Sequence, residues 1–399
     1  MNNKLYTTLC IATIWLFAGC TSNNDAKPDD SGFFVKLFGG AKNETPFQII
    51  PLTEGGYAGI GLTESYSTEG RQDMFFFLID KLGNVTKQIG IGGDVGRSIR
   101  RTPDSGFIIF GDSLGVAAKR SACIIKTTKE GVVQWRKEYR PAETPLNAVV
   151  KGVSIENNLE GGYLILGSVE VGNNSTLFVT KIDATGSVLR ERTYGLANSP
   201  NAITSIVQNA TSDIAVGGTL TNFSPANSTD MRVVLTNSLA NLKWDYAFNK
   251  NLKDIGVDLQ LLPNGYALLG TTTTNNGTTD IVLNRLNEAG EATLSVVFGG
   301  EGNQVARSVA PTQDGGFIVI GDIEKPGIGA SLQTDLYITK LSYAGEIEWT
   351  KTFGSSENDI SSIIRQDADG NYIILATIGF VTTKMCGVIR LNAKGQFLK

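Results

Sequence analysis

One motif recurs along this chain at a nearly constant interval, and that interval leaves few folds open. A turn followed by an aromatic or aliphatic run appears as EGGYAGIG at 54–61, DSGFIIFG at 104–111, EGGYLILG at 160–167, TSDIAVGG at 211–218, PNGYALLG at 263–270, DGGFIVIG at 314–321 and DGNYIILA at 369–376. The residue after the turn is Tyr57, Phe107, Tyr163, Ile214, Tyr266, Phe317 or Tyr372, so successive copies stand 50, 56, 51, 52, 51 and 55 residues apart. A repeat of this length is one supersecondary unit that cannot bury its apolar face alone and must stack on its neighbours.

Each copy contains a second hairpin, clearest in DLYITKLSYAGEIEWTKTFG at 335–354. Its turn reads DKLG at 80–83, TKEG at 128–131, DATG at 183–186, NSLA at 237–240, NEAG at 287–290, SYAG at 342–345 and NAKG at 392–395. Asp, Asn, Ser or Thr opens every one, where a side-chain oxygen caps the turn, and six end in the glycine that a left-handed position favours. The unit is therefore strand a, turn, strand b, loop, strand c, turn, strand d, with no helical periodicity anywhere. Four antiparallel strands repeated radially make a propeller blade, and seven copies predict an all-β, seven-bladed β-propeller over residues 33–399. The blades fall at approximately 45–91, 95–140, 147–195, 201–249, 253–299, 303–354 and 358–399.

The seventh copy runs out at the start of its strand d, while FFVKLFGG at 33–40 matches EWTKTFGS at 348–355 and LSVVFGGE at 294–301. The amino-terminal segment is thus expected to complete blade seven, with Phe34 and Phe38 in the slots of Trp349 and Phe353. Closure of this kind hides the edges an open array would expose.

With its glycine-glycine-aromatic turn, its K-L-x-x-x-G turn and its W-x-K-x-F-G ending, the repeat resembles the β-propeller repeats of secreted bacterial lipoproteins. More remotely it is similar to quinoprotein-like and WD-repeat propellers, which share a tryptophan near the end of each unit. Trp135, Trp244 and Trp349 hold that position in blades two, four and six, and Lys87, Arg190, Leu294 and Phe34 hold it elsewhere. Eight blades and a calcium-held cofactor are usual among quinoprotein enzymes, so a count of seven argues against that branch.

The amino terminus fits the same resemblance. A short polar start with Lys4, an apolar run from Leu5 to Phe17 and the ending Ala18-Gly19-Cys20 read as a signal peptide over 1–19, not a membrane span. LFAGC resembles the lipoprotein cleavage box, which implies lipidation of Cys20, although it departs from the usual pattern by placing Phe17 three residues before the cysteine, with Leu16 one position further upstream. The polar stretch 20–32 is suited to a flexible tether, and Thr21 lacks the aspartate of inner-membrane retention, so the outer membrane is the expected address, on its periplasmic side or at the cell surface. Cys123 and Cys386 fall on equivalent strands of blades two and seven with blade one between them, and are expected as two buried thiols.

Histidine is absent from all 399 residues, which removes the commonest general acid/base near neutral pH and leaves any metal site without imidazole. With 35 basic against 39 acidic side chains there is no electrostatic footprint for nucleic acid. No nucleophile motif, metal-ligand spacing or phosphate-binding loop before a helix occurs, so no catalytic residue, metal or cofactor is assigned. DADGN at 367–371 is only a fragment of a calcium loop and occupies an ordinary turn.

The small residue closing strand b (Gly61, Gly111, Gly167, Gly218, Gly270, Gly321, Ala376) is explained by crowding against the inner strands of neighbouring blades. Asp73, Asp230, Asp280 and Asp335 open strand c and are expected to tie down loops. Ser121, Thr176 and Met385 hold that slot in the other blades, and Lys126, Lys181, Arg285, Lys340 and Arg390, five residues on from it, are expected to bridge adjacent blades. In a propeller the a–b and c–d turns share one face, here short and uniform. The b–c loops on the other face vary in length, and irregular loops on a rigid scaffold usually carry binding. The longest span 62–73, 219–230 and 322–335. They offer Tyr66, Arg71, Phe223 and Lys325, together with Asp112 and Asp322 at the channel rim. The expected function is a monomeric binding or protein-interaction module of the cell envelope, engaging an envelope protein or glycan. The alternative is a carbohydrate-active hydrolase or lyase with a histidine-free site in the loop-face channel.

Overall fold

The computed structural model describes residues 32–67, 72–92, 94–113, 120–172, 174–194, 202–221, 229–248, 253–326 and 332–396. They form seven antiparallel sheets of four strands each, and no helix occurs among the described residues. In blades one to six the strand order within each sheet is the chain order. The inner strands are Glu44–Pro51, Asp94–Arg101, Val149–Asn157, Ala202–Gln208, Asp254–Leu262, Gln304–Pro311 and Ile360–Gln366.

Blade seven is the exception that closes the ring. Its order from the channel outward is Ile360–Gln366, Tyr372–Gly379, Lys384–Leu391 and then Phe34–Phe38. Phe34 lies opposite Arg390 and Phe38 opposite Cys386, matching Trp349 opposite Lys340 and Phe353 opposite Leu336 in blade six. Both phenylalanines are buried and join blade-one residues such as Tyr57, Phe75 and Phe77 in one cluster. The closing strand therefore fastens blade seven and also packs it against blade one.

Every inner strand carries a bulge at the same place, centred on Phe47, Arg97, Val153, Thr204, Val257, Arg307 and Ser362. In blades one, two, four and five the side chain of the residue after the bulge reaches across to the next blade. Ile99 N donates to Gln48 Oε1, Ile155 N to Ser98 Oγ at 3.2 Å, Leu259 N to Ser205 Oγ at 3.2 Å and Val309 N to Asp258 Oδ2 at 3.0 Å. These bonds satisfy outward-facing amides of the inner strands, which lie at the edge of their sheets and have no strand neighbour on that side.

The strand-b glycines are crowded chiefly by their own blade. A Cβ on Gly61, Gly111, Gly167, Gly270 or Gly321 meets the carbonyl of that blade's bulged inner strand. The neighbouring blade makes the close approach with its own small residue: Gly152 and Gly256 lie on the backbones of Gly111 and Gly218.

The strand-c cations depart from expectation. Lys126 pairs with Asp104 at 2.8 Å, Lys340 with Asp314 at 2.9 Å, Arg390 with Asp367 at 2.7 Å, and Lys181 with Glu160. Each partner belongs to the a–b turn of the same blade, so these cations brace a turn within a blade. Arg285 alone bridges, because the turn of blade five reads LPNG and offers no carboxylate. Its guanidinium lies 4.0 Å from the ring centroid of Tyr343 in blade six and donates to the Tyr343 carbonyl. Cys123 and Cys386 are buried free thiols, and burial pushes both well above the usual thiol range.

Candidate functional site

The channel is lined by the bulge residues at one end and by longer side chains three residues further along the inner strands. Arg100 and Glu156 form an ion pair through two hydrogen bonds. Asp258 accepts from Ser205 Oγ, Gln260 Nε2, Ser308 Oγ and Val309 N. Arg365 donates from Nη1 to Ser308 Oγ at 3.0 Å and to the Val309 and Ile364 carbonyls. Burial holds Arg365 below the usual arginine range, whereas for Arg100 the adjoining Glu156 carboxylate outweighs burial and raises it. The cavity among these side chains measures about 190 Å³, below the roughly 300 Å³ at which small-molecule sites begin. Its carboxylates are fully engaged as acceptors by chain donors.

At the channel mouth, Asp112 and Asp322 occupy equivalent places after the strand-b glycine. Asp112 takes Arg97 at 3.0 Å and accepts from Gly152 N at 2.9 Å. Asp322 takes Arg307 at 2.7 Å and accepts from Ser361 N at 2.7 Å. Thr219 and Thr271 accept from Gly256 N and Ala306 N in the same way. Both aspartates are thus clamps between blades, with a partner on each side.

The other described loop-face candidates are likewise engaged. Tyr66 stacks on Phe75 with centroids 5.7 Å apart and planes at 2°, and its hydroxyl donates to the Gly39 carbonyl at 2.9 Å. Lys325 pairs with Asp335, one of the strand-c aspartates, which ties that loop down as expected. The described residues of 322–335 are strand, with Phe317–Pro326 paired to Leu332–Leu341. The structure brings Asp112 and Asp322 to one channel mouth and leaves Tyr66 and Lys325 on separate blades. Arg71 and Phe223 lie outside the described residues, as does Cys20.

On the opposite face, read as uniform from its short turns, grooves lie among the described residues, and two of them bear on function. One, of about 840 Å³, runs across the turns of blades five, six and seven. Arg285 and Tyr343 form its floor on one side, with Pro263, Gln313 and Gln366 around it. Tyr343 is 64% exposed, and the Gln313 side chain reaches the carbonyl of Ala368. The second, of about 410 Å³, lies between blades three and four and includes Lys181, Arg190 and Arg192.

The signal for the smaller groove was in the repeat, in a position that breaks it. Where tryptophan ends a blade, its ring covers the c–d turn glycine of the next: Trp135 over Gly186, Trp244 over Gly290, Trp349 over Gly395. Leu294 lies over Gly345 at the blade five–six junction in the same way, whereas at the three–four junction the polar Arg190 stands at that position and lines the smaller groove.

No family model matches the chain, and no curated protein matches it. Solved structures do, at the level of fold. The β-propeller domain of the trilobed protease of Pyrococcus furiosus, a propeller of open velcro topology, is 12% identical with a TM-score of 0.51, covering 87% of this chain and 96% of that one. A protein of unknown function from Dyadobacter fermentans is 10% identical with a TM-score of 0.51, covering 90% and 98%. The Dos1 propeller is 9% identical with a TM-score of 0.50, covering 90% and 97%. The chain is a seven-bladed β-propeller; unlike that open neighbour, its ring is closed by the amino-terminal strand.

Proposed function

We propose that this chain is a ligand-binding propeller of the bacterial cell envelope, anchored by lipid on Cys20, and that the groove across blades five to seven receives a glycan. The groove carries the reading. Its volume suits a small saccharide, its exposed Tyr343 ring offers an apolar face for a pyranose, and Arg285, Gln313 and Gln366 supply planar polar groups beside that ring. Arg285 also holds the tyrosine in place, which lowers the ordering cost of binding.

The lipoprotein resemblance of residues 1–32 supports the envelope address, because Phe34 begins the closing strand and leaves a polar tether between Cys20 and the disc. Catalysis in the channel is the weaker reading. A glycosidase pair requires one carboxyl to donate a proton and the other to attack or activate water. Glu156 and Asp258 are instead held by Arg100 and by four hydrogen bonds respectively.

Glycan-array binding with the mature chain is expected to give a defined set of hits that Tyr343→Ala and Gln313→Ala abolish without lowering the melting temperature. An empty array combined with turnover in a hydrolase and lyase screen would overturn the reading. Membrane fractionation checks the anchor: Cys20→Ala is expected to release the protein from the membrane.

A further inference from the structure

The seven blade junctions are internal controls for one another, because the same backbone arrangement is filled with different side chains at each. At the junction of blades four and five, Trp244 meets Tyr266 edge-on with centroids 5.5 Å apart and lies over Gly290. Blades two and three use Trp135 over Gly186, blades six and seven Trp349 over Gly395, and blades seven and one Phe34 over Gly83. Blades one and two place Lys87 at the strand-d position, and there Phe76 from strand c fills the space over Gly131.

Between blades three and four every one of these fillers is replaced together. Arg190 stands for the tryptophan, Ile214 for the aromatic ring and Ala240 for the turn glycine, while Val179 is the aliphatic residue that the other blades carry where blade one has Phe76. Ala240 keeps the left-handed backbone, at φ 65°, that glycine adopts in the other turns. Two residues past Arg190, on the same side of the strand, comes Arg192; the other junctions carry Ile89, Lys137, Tyr246, Val296, Lys351 and Lys36 there. The result is the 410 Å³ groove, with apolar Leu164, Leu189 and Ile214 beside Lys181, Arg190 and Arg192.

Its charge is unbalanced. Glu160 is the single carboxylate in the lining, and it is taken by Lys181. Arg190 donates to the Ser238 carbonyl at 3.3 Å and Arg192 to the Glu191 carbonyl at 3.2 Å, so among the described residues neither guanidinium forms an ion pair with a carboxylate, although Arg190 adds to Lys181 in lowering the Glu160 carboxyl. Asn158 adds a second, independent mark. It lines the groove, is 7% exposed, and its Nδ2 has no hydrogen-bond acceptor among the described residues. A buried amide donor without a partner costs free energy, which a bound acceptor recovers once the side chain turns towards the groove.

We infer that the groove between blades three and four binds a small ligand bearing an oxyanion, held by Arg190 and Arg192, with its apolar portion against Leu164, Leu189 and Ile214. A guanidinium pair suits a carboxylate or a phosphate equally, through parallel N–H donors. The two sources are a sugar acid and a phosphorylated metabolite. This site is separate from the glycan groove of the proposed function, and its failure leaves that reading untouched.

The test uses calorimetric titration of the mature chain with D-glucuronate, with glucose 6-phosphate and with inorganic phosphate, glucose serving as the uncharged control. Saturable binding is expected for at least one anion and not for glucose, with affinity falling as salt is raised. Arg190→Gln with Arg192→Gln is expected to weaken that binding at least tenfold, and Tyr343→Ala to leave it unchanged. A second variant guards against a folding artefact: Arg190→Trp, Ile214→Tyr and Ala240→Gly together restore the filling used elsewhere, and should abolish binding while keeping or raising the melting temperature. Glucuronate binding without phosphate binding identifies the sugar acid, and the reverse identifies the phosphorylated ligand. No saturable anion binding, or binding that survives both variants, would overturn the inference.

Discussion

The junction between blades four and five and the junction between blades three and four share a backbone and differ in what fills it. In the first, Trp244 lies over Gly290 and donates Nε1–H to the Glu288 carbonyl at 2.9 Å, while Tyr266 is buried against it. In the second, arginines face an open groove. A ring closed by strand pairing and by inter-blade bonds at the channel tolerates one underfilled outer junction, because the inner strands stay clamped. Stability is therefore concentrated in the closed junctions and in the channel clamps, and the open junction is free to vary in chemistry.

The largest effect should come from removing a closed junction altogether. Deleting 21–31 is expected to leave the melting temperature nearly unchanged, whereas deleting 21–40 removes the closing strand with Phe34 and Phe38. Two buried phenylalanines contribute about 3–6 kcal/mol by area, a large share of the net stability of a typical domain. Thermal melts and light scattering of the longer truncation should show a strongly destabilised, aggregating protein. If it melted like the intact chain, closure would not distinguish the junctions.

Next comes the direct contrast. Trp244→Ala is expected to cost about 3 kcal/mol in denaturant unfolding, because it strips the ring from Gly290 and Tyr266. Arg190→Ala, at the same position one blade earlier, should stay within about 0.5 kcal/mol. Equal costs would erase the comparison.

The turn residues beneath sharpen it further. Gly290→Ala places a Cβ 2.6 Å from the Trp244 ring at φ 82°, and is expected to destabilise by about 1–3 kcal/mol. Ala240→Gly relieves a left-handed alanine with no ring above it, and should stabilise by about 0.5–1 kcal/mol.

The smallest effect concerns the turn braces that blades two and six share. The side-chain hydrogen bond from Lys126 holds Asp104 down to about 2; for Asp314, burial opposes ionisation, but bonds from Thr312 and Lys340 prevail and also hold it at about 2. Both folded values lie below the unfolded carboxylate range, so their stabilisation is present above about pH 4 and is lost as pH falls towards 2. Asp104→Asn with Asp314→Asn should flatten the acid limb of a melting-temperature profile over that window and leave the limb above pH 5 in shape. An unchanged acid limb would show that the braces contribute nothing.

The repeat itself made the fold legible. Aromatic turns set the count of seven, the Asx-type turns set four strands per blade, and FFVKLFGG set the closure, because strand pairing and alternation are local and periodic. Two buried thiols were legible for the same reason, since equivalent repeat positions lie on equivalent strands. What the sequence did not yield was the pairing of side chains across space. Lys126 and Lys340 were read as bridges between blades, yet their carboxylates sit in their own turns, some twenty residues away along the chain and opposite only once the hairpin has folded. Asp112 and Asp322 look like free rim acids in one dimension, and become clamps only when the next blade presents Gly152 N or Ser361 N. The grooves are the strongest case. Arg190, Ile214 and Ala240 are three unremarkable departures from a repeat until the ring closes, and the smaller groove exists because departures from two blades meet there. Periodicity fixes backbone and therefore fold; cavities and ion pairs depend on which side chains the closed ring sets face to face, and tertiary structure alone decides that.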